Sequence, residues 1–398
     1  MKTRVIIHLE ALQHNLDTIS RWMDQRSSAW TVVTKVLCGH ADTLRALQAY
    51  GVRSMGESRL ENLEIIRRVV PEQETWFLRM PNMSELESVA ELSDVSLNSE
   101  IEVIRELNEK AARRGKIHRI IIMIELGDLR EGILPGSLMQ FYQQVFDLPA
   151  IEVLGIGSNL GCLAGAVPSV DQFMQLALYR ELLELKFGRK LGFISAGSSS
   201  ALPLVLNKQL PKNINHFRIG EAVFLGTDLL NGGTLTGLRS DTVVLEAEII
   251  EIKEKPLMSP VETGGVNPFS SVSVGGEDDL SPGQRGYRAL VNLGHLDTDV
   301  TGLTPENPKH HIAGASSDIM VVNLGDDPGS CRVGSVLRFR MNYAAMVRLM
   351  AGPYVEKVVD PSLPDFVKQL EAKTTTEMTP ALDTVETGPD LVEKAMGK

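Results

Sequence analysis

The sequence predicts an α/β protein, a TIM-like (β/α)8 barrel followed by a mostly β domain. From about residue 10 to residue 230, short apolar or β-branched runs alternate with longer segments of helical spacing, which is typical of repeated βα units. After Leu229 the pattern changes to turn-rich sequence and then to alternating apolar and polar residues. We therefore expect a barrel domain over 1–233, a β-rich domain over 234–372 and a weakly structured tail over 373–398.

Eight runs in the first region are predicted strands, and a helical segment separates most neighbours. They span residues 31–37, 52–55, 75–79, 94–97, 118–125, 151–157, 191–194 and 215–218. After the fourth strand, Ile101, Ile104, Leu107 and Ala111 form one stripe, as in a helix that packs one face on a barrel. Eight strands and crossovers in about 220 residues favour a closed barrel, although a doubly wound sheet would share much of this pattern.

The second region differs in its local pattern. Residues 231–237 read NGGTLTG, and residues 242–253 alternate apolar residues with glutamates, as a half-buried strand does. The segment 256–286 is rich in Gly, Ser and Pro and is a predicted surface loop. Residues 373–398 contain many threonines and no aromatic residue, which is typical of weak structure.

Composition excludes several classes of protein. The chain has 398 residues, of which 43% are hydrophobic and 23% charged, and its net charge is -11, so nucleic acid and anionic membranes are unfavourable partners. The start lacks a long apolar h-region, and no run reaches the ~20 apolar residues that span a bilayer. Cys38, Cys162 and Cys331 form neither a CxxC nor a zinc-like pattern. We expect a cytoplasmic protein without disulfides or bound metal that acts on small molecules.

Two features at predicted strand ends point to chemistry, because barrel enzymes place their sites there. Lys35 lies inside the apolar run TVVTKVL; it is either a lysine that forms a Schiff base or one that snorkels or pairs with a carboxylate. The loops after the seventh and eighth strands read ISAGSSSAL and HFRIGEAVFLG, and such small residues before helices can cradle a phosphate. Plain loops with a serine N-cap are the alternative. Together, an amine and a phosphate cradle predict pyridoxal phosphate.

A set of motifs extends this prediction. The pair VVTKVLCGH and HFRIGEAVFLG resembles the fold-type III pyridoxal-phosphate enzymes, the alanine racemase superfamily, and the resemblance covers nearly the whole chain. The alanine/ornithine racemase branch is the most similar, through TKVLCGHADTLRAL, GESRLEN, IELGDLREGI, GIGSNLGC, NHFRIGEAVFLGTD, NLGHLDTDVTGLTP, GASSD and MNYAAM. The resemblance implies a racemase with two bases on opposite faces of the substrate Cα. It also implies a head-to-tail homodimer in which the second domain of each subunit covers the other's barrel.

The resemblance also assigns residues. Lys35 matches the lysine that binds pyridoxal 5′-phosphate covalently and acts as one base, and Arg218 matches the arginine that faces the pyridine nitrogen and leaves it unprotonated. Arg130 matches an arginine near the substrate carboxylate. The matched phosphate cradle is Ser199 with the backbone amides of Gly220 and Glu221, to which Ser198 or Ser200 contributes.

Several positions depart from alanine racemases. Their second base, a tyrosine in Gly-Tyr-Ala-Asp, corresponds here to His295 in GHLDT. An imidazole titrates near neutral pH and can act as a base; a histidine that is merely hydrogen-bonded is the alternative. Asn159 stands in place of a histidine that packs on the cofactor, Cys38 in place of a tyrosine, and Met123 in place of a lysine that is carbamylated in some relatives. These changes favour a side chain other than that of alanine.

Carboxylates beside the matched motifs point to a basic substrate. Asp128, Glu131 and Asp297 could receive the distal ammonium of ornithine or lysine, and a structural carboxylate is the alternative for each. Asp318, in GASSD, matches an aspartate that lies near the partner's active site. Two further candidates for the pocket, which are equally consistent with core or interface positions, are Tyr343 and Tyr354.

The same barrel also supports non-catalytic carriers and enzymes of other classes, which are the alternatives to a racemase of basic amino acids. Non-catalytic pyridoxal-phosphate carriers end after the barrel, so the residues 234–372 argue against that class. An aldolase or decarboxylase would need a metal site or a different second domain, and no clustered metal ligands occur in the sequence. An alanine racemase is the remaining alternative. The predicted function is racemisation of ornithine or another basic amino acid.

Overall fold

The computed structural model describes residues 3–161, 167–257 and 283–378. Ahead of the barrel lie strand β1 (Arg4–His8) and helix α1 (Leu9–Asp24). In β1, Val5 and Ile7 are fully buried, so this short strand contributes to a hydrophobic core in spite of its position near the chain start.

Within the described residues, eight parallel strands close into a barrel in chain order, and the last pairs with the first. The barrel strands are β2 (Ala29–Val33), β3 (Ser54–Glu57), β4 (Glu74–Phe77), β5 (Val95–Asn98), β6 (His118–Met123), β7 (Ile151–Gly157), β8 (Phe193–Ser198) and β9 (His216–Ile219). The predicted closed barrel is therefore confirmed, and each predicted strand overlaps an observed one. Most of these strands carry apolar side chains on both faces, as expected for strands between a packed interior and surrounding helices.

The end of the first predicted strand is wrong. Strand β2 ends at Val33, and Lys35 begins a single 3-10 turn, Lys35–Leu37, instead of lying inside the strand. The apolar run continues past the strand because Val36 and Leu37 are buried in this turn. Burial in a turn and burial in a strand give the same sequence pattern.

A helix follows each barrel strand along the chain. These helices are α2 (Ala41–Tyr50), α3 (Leu60–Val69), α4 (Leu86–Leu92), α5 (Ile101–Arg113), α6 (Leu138–Phe146), α7 (Val170–Phe187), α8 (Leu202–Leu206) and α9 (Glu221–Leu225). The stripe predicted for α5 is observed: Ile104, Leu107 and Ala111 are buried, and Ile101 packs against them. Burying one such aliphatic side chain stabilises the fold by about 1.5–3 kcal/mol, which explains why the polar faces of these helices turn outward.

The carboxyl-terminal region forms a second, mostly antiparallel sheet, as predicted. Its strands are β10 (Val243–Pro256), β11 (Arg285–Val291), β12 (Leu303–Pro305), β13 (His311–Ala315), β14 (Met320–Gly325), β15 (Val336–Met341) and β16 (Glu356–Asp360), and two helices accompany it, α10 (Tyr343–Ala351) and α11 (Leu363–Met378). The sheet order is β12-β15-β10-β11-β14-β13. Strand β1 joins it, antiparallel to β10 and parallel to β16. The second sheet thus uses strands from both ends of the described chain, while the domain limits at 233 and 372 stay predictions.

Two predicted segments lie largely outside the described residues. The loop predicted over 256–286 starts at the last residue of β10 and ends at the second residue of β11, so its two ends are strand, and most of it is outside the described residues. The segment predicted as weakly structured begins at 373, whereas helix α11 continues to Met378; residues 379–398 are outside the range. Among the described residues, no helix is long and apolar enough to cross a membrane.

Candidate active site

The barrel brings the predicted lysine, arginine and serines to one rim. Arg218 in β9 is level with Thr31 of β2 on one side and with Ser198 of β8 on the other. Lys35 follows β2 at this end, and its side chain is exposed. Burial raises the pKa of Glu221, and a hydrogen bond from Thr227 and the positive charge of Lys35 act in the opposite direction. The carboxyl ends of β2, β8 and β9 therefore form one polar site.

Arg218 is buried and held in one orientation by four hydrogen bonds. Its Nη1 donates to the backbone oxygen and to Oγ of Ser195, each at 2.5 Å. Its Nη2 donates to the Ser158 carbonyl at 3.0 Å and to Asn159 Oδ1 at 2.6 Å. Burial lowers the pKa of Arg218 to about 10, so the guanidinium remains a cation at neutral pH. A ligand atom next to the Arg218 guanidinium would therefore meet a fixed positive charge, which donates hydrogen bonds and cannot accept them.

Asn159 links this arginine to the loop after β6. Its Nδ2 donates to Glu131, whose carboxylate also receives two hydrogen bonds from Arg130, one of them from Nη2 at 2.8 Å. Burial alone would raise the pKa of Glu131, but the Arg130 and Asn159 hydrogen bonds hold it below its usual value. Asp128 is buried, and its Oδ2 lies 3.8 Å from Arg130 Nε. The predicted residues Asn159, Arg130 and Asp128 thus belong to one network with Arg218.

The conformation of that loop depends on Glu125, which the sequence analysis did not single out. Its carboxylate accepts hydrogen bonds from the backbone N–H groups of Gly127, Leu129 and Arg130, at 2.5, 3.1 and 3.0 Å. Gly132 closes the loop with φ +143, and a Cβ there would lie 2.3 Å from Glu125 N. The available signal was a carboxylate directly after a buried strand, followed by glycines in IELGDLREG.

The loops after β8 and β9, which the sequence predicts as a phosphate cradle, lie in contact with each other. Ser198 Oγ lies 2.7 Å from Ser200 Oγ, and Ser199 Oγ accepts from the Ala222 N–H in the first turn of α9 at 3.2 Å. A Cβ at Gly220 would lie 3.0 Å from a side-chain atom of β2, so glycine allows this turn to approach the strand. Small hydroxyl side chains and first-turn amides lie together, which suits a phosphate.

Taken as a donor set, the rim fits the predicted cofactor. Pyridoxal phosphate needs an amine for its aldehyde and donors for its phosphate. Lys35 offers an exposed amine, and the serine loop with the first turn of α9 offers the donors. The fixed guanidinium of Arg218 would complement an unprotonated ring nitrogen.

His295, Asp297 and Asp318 form a second group, on the second domain. The turn after β11 contains Gly294, where a Cβ would lie 2.2 Å from the Ser317 carbonyl oxygen, so the two loops are in close contact. The Asp297 carboxylate accepts from the Gly294 N–H at 3.0 Å, and the exposed Asp318 accepts from Ser317 Oγ at 2.8 Å. His295 is half-buried in this turn. The contacts that shape this group lie within the second domain.

Helix α10 connects the two groups. Tyr343 begins the helix, and its ring centroid lies 5.9 Å from Lys35 Nζ. Further along, the Ala345 carbonyl accepts from Thr298 Oγ1 at 3.0 Å, close to the turn that carries His295. Tyr343 is therefore beside the site, whereas Tyr354 is 76% exposed.

Glu57 is a second residue near the site that the sequence indicates only through the motif GESRLEN. It ends β3 and is fully buried. Its carboxylate accepts from the Ser58 N–H at 2.9 Å, from Asn62 Nδ2 at 3.3 Å and from Thr34 Oγ1 at 3.4 Å. Burial raises the pKa of Glu57 to about 7, although these hydrogen bonds oppose the change. Because Thr34 precedes Lys35, this carboxyl group supports the turn that presents the lysine.

Over residues 3–161, 167–257 and 283–378, no group of three His, Cys, Asp or Glu side chains is arranged to hold a metal ion.

A racemase family model and two known racemases match this sequence. Residues 7–228 match the family model described as alanine racemase, N-terminal domain. The chain is 31% identical to the ornithine racemase of Acetoanaerobium sticklandii over 358 residues, which cover 90% of this chain and 99% of that protein. It is 33% identical to the lysine racemase of Thermotoga maritima over 360 residues, with coverages of 90% and 99%.

Solved structures share the fold at lower identity. Alanine racemase from Bartonella henselae with covalently bound pyridoxal phosphate is similar with a TM-score of 0.68 and 16% identity, over 90% of this chain and 99% of that one. D-threonine aldolase from Filomicrobium marinum is similar with a TM-score of 0.65 and 14% identity, over 90% and 91%. These two likenesses concern the fold alone.

Proposed function

The chain belongs to the alanine racemase family and is an amino-acid racemase that uses pyridoxal 5′-phosphate; we propose that its substrate is a basic amino acid, ornithine or lysine. The observation that carries the cofactor site in this proposal is the joint presence of an exposed Lys35, a fixed Arg218 and the serine loop at one barrel rim. The ornithine and lysine racemases that the chain resembles support the substrate class.

The residues of the rim have separate tasks in this proposal. When bound, pyridoxal phosphate stabilises the negative charge left at Cα by loss of the α-proton. Lys35 holds the cofactor and moves a proton at one face of Cα. Arg218 orients the ring, and its fixed charge disfavours a proton on the ring nitrogen. Ser199 holds the phosphate together with the backbone amides of Gly220, which directly precedes α9, and of Glu221, the first residue of α9; Ser198 and Ser200 line the same loop.

A second base must act on the opposite face, because racemisation returns the proton from the other side. We assign this task to His295, delivered by the second domain of a partner subunit in a head-to-tail homodimer. The half-buried His295 lies in a turn that contacts the loop of the exposed Asp318, and this position supports the arrangement. Complementation tests it: if each site uses Lys35 from one subunit and His295 from the other, mixing inactive Lys35→Ala and His295→Phe chains restores about a quarter of the sites. No restored activity would contradict shared sites.

The substrate side chain needs a negative partner. Asp128 is buried beside Arg130, whose guanidinium is assigned to the substrate carboxylate. Asp297 and Asp318 are more accessible and lie in the same group as His295. We infer that these two second-domain carboxylates receive the distal ammonium. Asp128 adds negative charge next to the Arg130 guanidinium. A cytoplasmic location suits such an enzyme of amino-acid metabolism.

The direct test uses the cofactor-loaded protein with L-ornithine, L-lysine, L-alanine and L-serine in separate reactions. Chiral chromatography follows the D-enantiomer, and Lys35→Ala is the control. We expect D-ornithine or D-lysine to form much faster than D-alanine, and no D-product with the control. Faster formation of D-alanine or D-serine would contradict the basic substrate class.

A further inference from the structure

Glu131 lies between two arginines that the proposed function assigns to different ligands. Arg130 donates twice to its carboxylate, and Asn159 Nδ2 donates to the same group. The other end of Asn159, Oδ1, accepts from Arg218 Nη2 at 2.6 Å. A continuous path of hydrogen bonds therefore runs from Arg218 through Asn159 and Glu131 to Arg130.

The chemistry of the end groups fixes the orientation of the central amide. A guanidinium has only donors and an ionised carboxylate has only acceptors. Asn159 must therefore turn its oxygen to Arg218 and its nitrogen to Glu131. An aspartate at 159 would repel Glu131, and an aliphatic residue would leave both neighbours without this partner. A neutral histidine also has one donor and one acceptor, which explains why asparagine can stand where alanine racemases have a histidine.

The Glu131 carboxylate is consequently occupied by groups of the protein. It receives three hydrogen bonds from Arg130 and Asn159, and its side chain is only 13% exposed. A substrate ammonium would have to displace a charge-assisted two-point contact, one of the stronger kinds of hydrogen bonding in proteins. From the sequence alone, Glu131 is one of three predicted receivers of this ammonium.

We propose that Glu131 is a positioning residue that couples the arginine for the substrate carboxylate to the arginine for the cofactor ring, and that it does not bind the substrate ammonium. This inference rests on the ligands assigned to Arg130 and Arg218 under the proposed function. It predicts that losing the Glu131 charge disturbs both ligands, irrespective of the substrate side chain.

Glu125 provides a matched control, because it holds the same loop but not Asn159. Its carboxylate contacts the backbone of residues 127–130. The variants Glu131→Gln and Glu125→Gln are compared in two titrations, each followed by absorbance. The first adds pyridoxal phosphate to the cofactor-free protein; the second adds L-ornithine, or L-norvaline of equal chain length without the ammonium, to the cofactor-loaded protein.

For Glu131→Gln we expect binding of the cofactor and of both amino acids to weaken by about tenfold or more, since a buried charged partner is lost. For Glu125→Gln, whose amide oxygen can still accept from the backbone N–H groups of this loop, cofactor binding should weaken much less than for Glu131→Gln. If Glu131→Gln weakens ornithine but not norvaline, Glu131 is an ammonium receiver and the inference is wrong. Unchanged cofactor binding would also overturn it.

A second variant keeps the test decisive if Glu131→Gln does not fold. Asn159→Ala removes the link but leaves the Arg130–Glu131 pair, so cofactor binding should weaken by about tenfold while norvaline binding changes little. Equal weakening of both would refute the coupling path. Because these are binding measurements, a protein that binds but does not racemise ornithine would contradict the proposed function and leave this inference standing.

Discussion

Neutralising Glu57 should change how the stability of the protein depends on pH. This carboxyl group ends β3, is 1% exposed, and lies next to the turn that carries Lys35. Burial raises its pKa from the usual 4.5 to about 7. The folded protein therefore keeps a proton on Glu57 in a range of pH where the unfolded chain has lost it.

The sign and size follow from this difference. A group with a raised folded pKa favours the folded state below its unfolded pKa, and that contribution is lost as the pH rises through the folded pKa. One pKa unit corresponds to about 1.4 kcal/mol, so wild-type stability should fall by about 3 kcal/mol relative to Glu57→Gln between about pH 4.5 and pH 7. For a chain of this length that is about 3 °C in Tm.

Thermal unfolding of both proteins at about pH 5 and pH 8 measures this effect. The quantity to compare is the difference in Tm between wild type and Glu57→Gln at each pH. Other groups titrate in the same pH range, but they are present in both proteins, so their effect cancels in this difference. An exposed carboxylate on the neighbouring helix α3 supplies the control, Glu64→Gln. A Tm difference between wild type and Glu57→Gln that does not change with pH would refute the argument that burial controls this group.

Two further predictions concern the loop after β6 and the interior of the barrel. Gly132→Ala places a Cβ 2.3 Å from Glu125 N at φ +143, so we expect a loss of about 1–3 kcal/mol in stability and weaker amino-acid binding; unchanged unfolding and binding would contradict this geometry. His216 is buried, and burial together with the Arg218 charge lowers its pKa to about 3, so NMR of labelled histidines at about pH 5 should find it neutral. A protonated His216 at that pH would contradict the described packing.

The barrel could be predicted because each strand and helix has its own local pattern. Strand β1 could not, since RVIIH is short and its partners lie in β10 and β16, far along the chain. The end of β2 was misplaced because Val36 and Leu37 are buried in a turn. Local periodicity therefore predicts which segments are buried better than it predicts which distant segments pair.

Part of the candidate site could also be predicted from the sequence, and part of it could not. Lys35 and Ser199 follow strands β2 and β8, and Arg218 lies near the end of β9 between them, so a rule about strand ends that can be applied to a sequence groups all three. The Glu131 partners depend on the conformation of a loop, which Glu125 fixes through backbone hydrogen bonds. Such side-chain contacts have no periodic signal in the sequence, so only the structure identifies them.

The claim that Lys35 at the barrel rim carries the cofactor is tested most directly by locating the attachment site. The cofactor-loaded protein is reduced with borohydride, digested and mapped by mass spectrometry. The added mass of reduced cofactor should lie on Lys35, and Lys35→Ala should carry none. Cofactor mass on another lysine, or equal labelling of Lys35→Ala, would contradict the account.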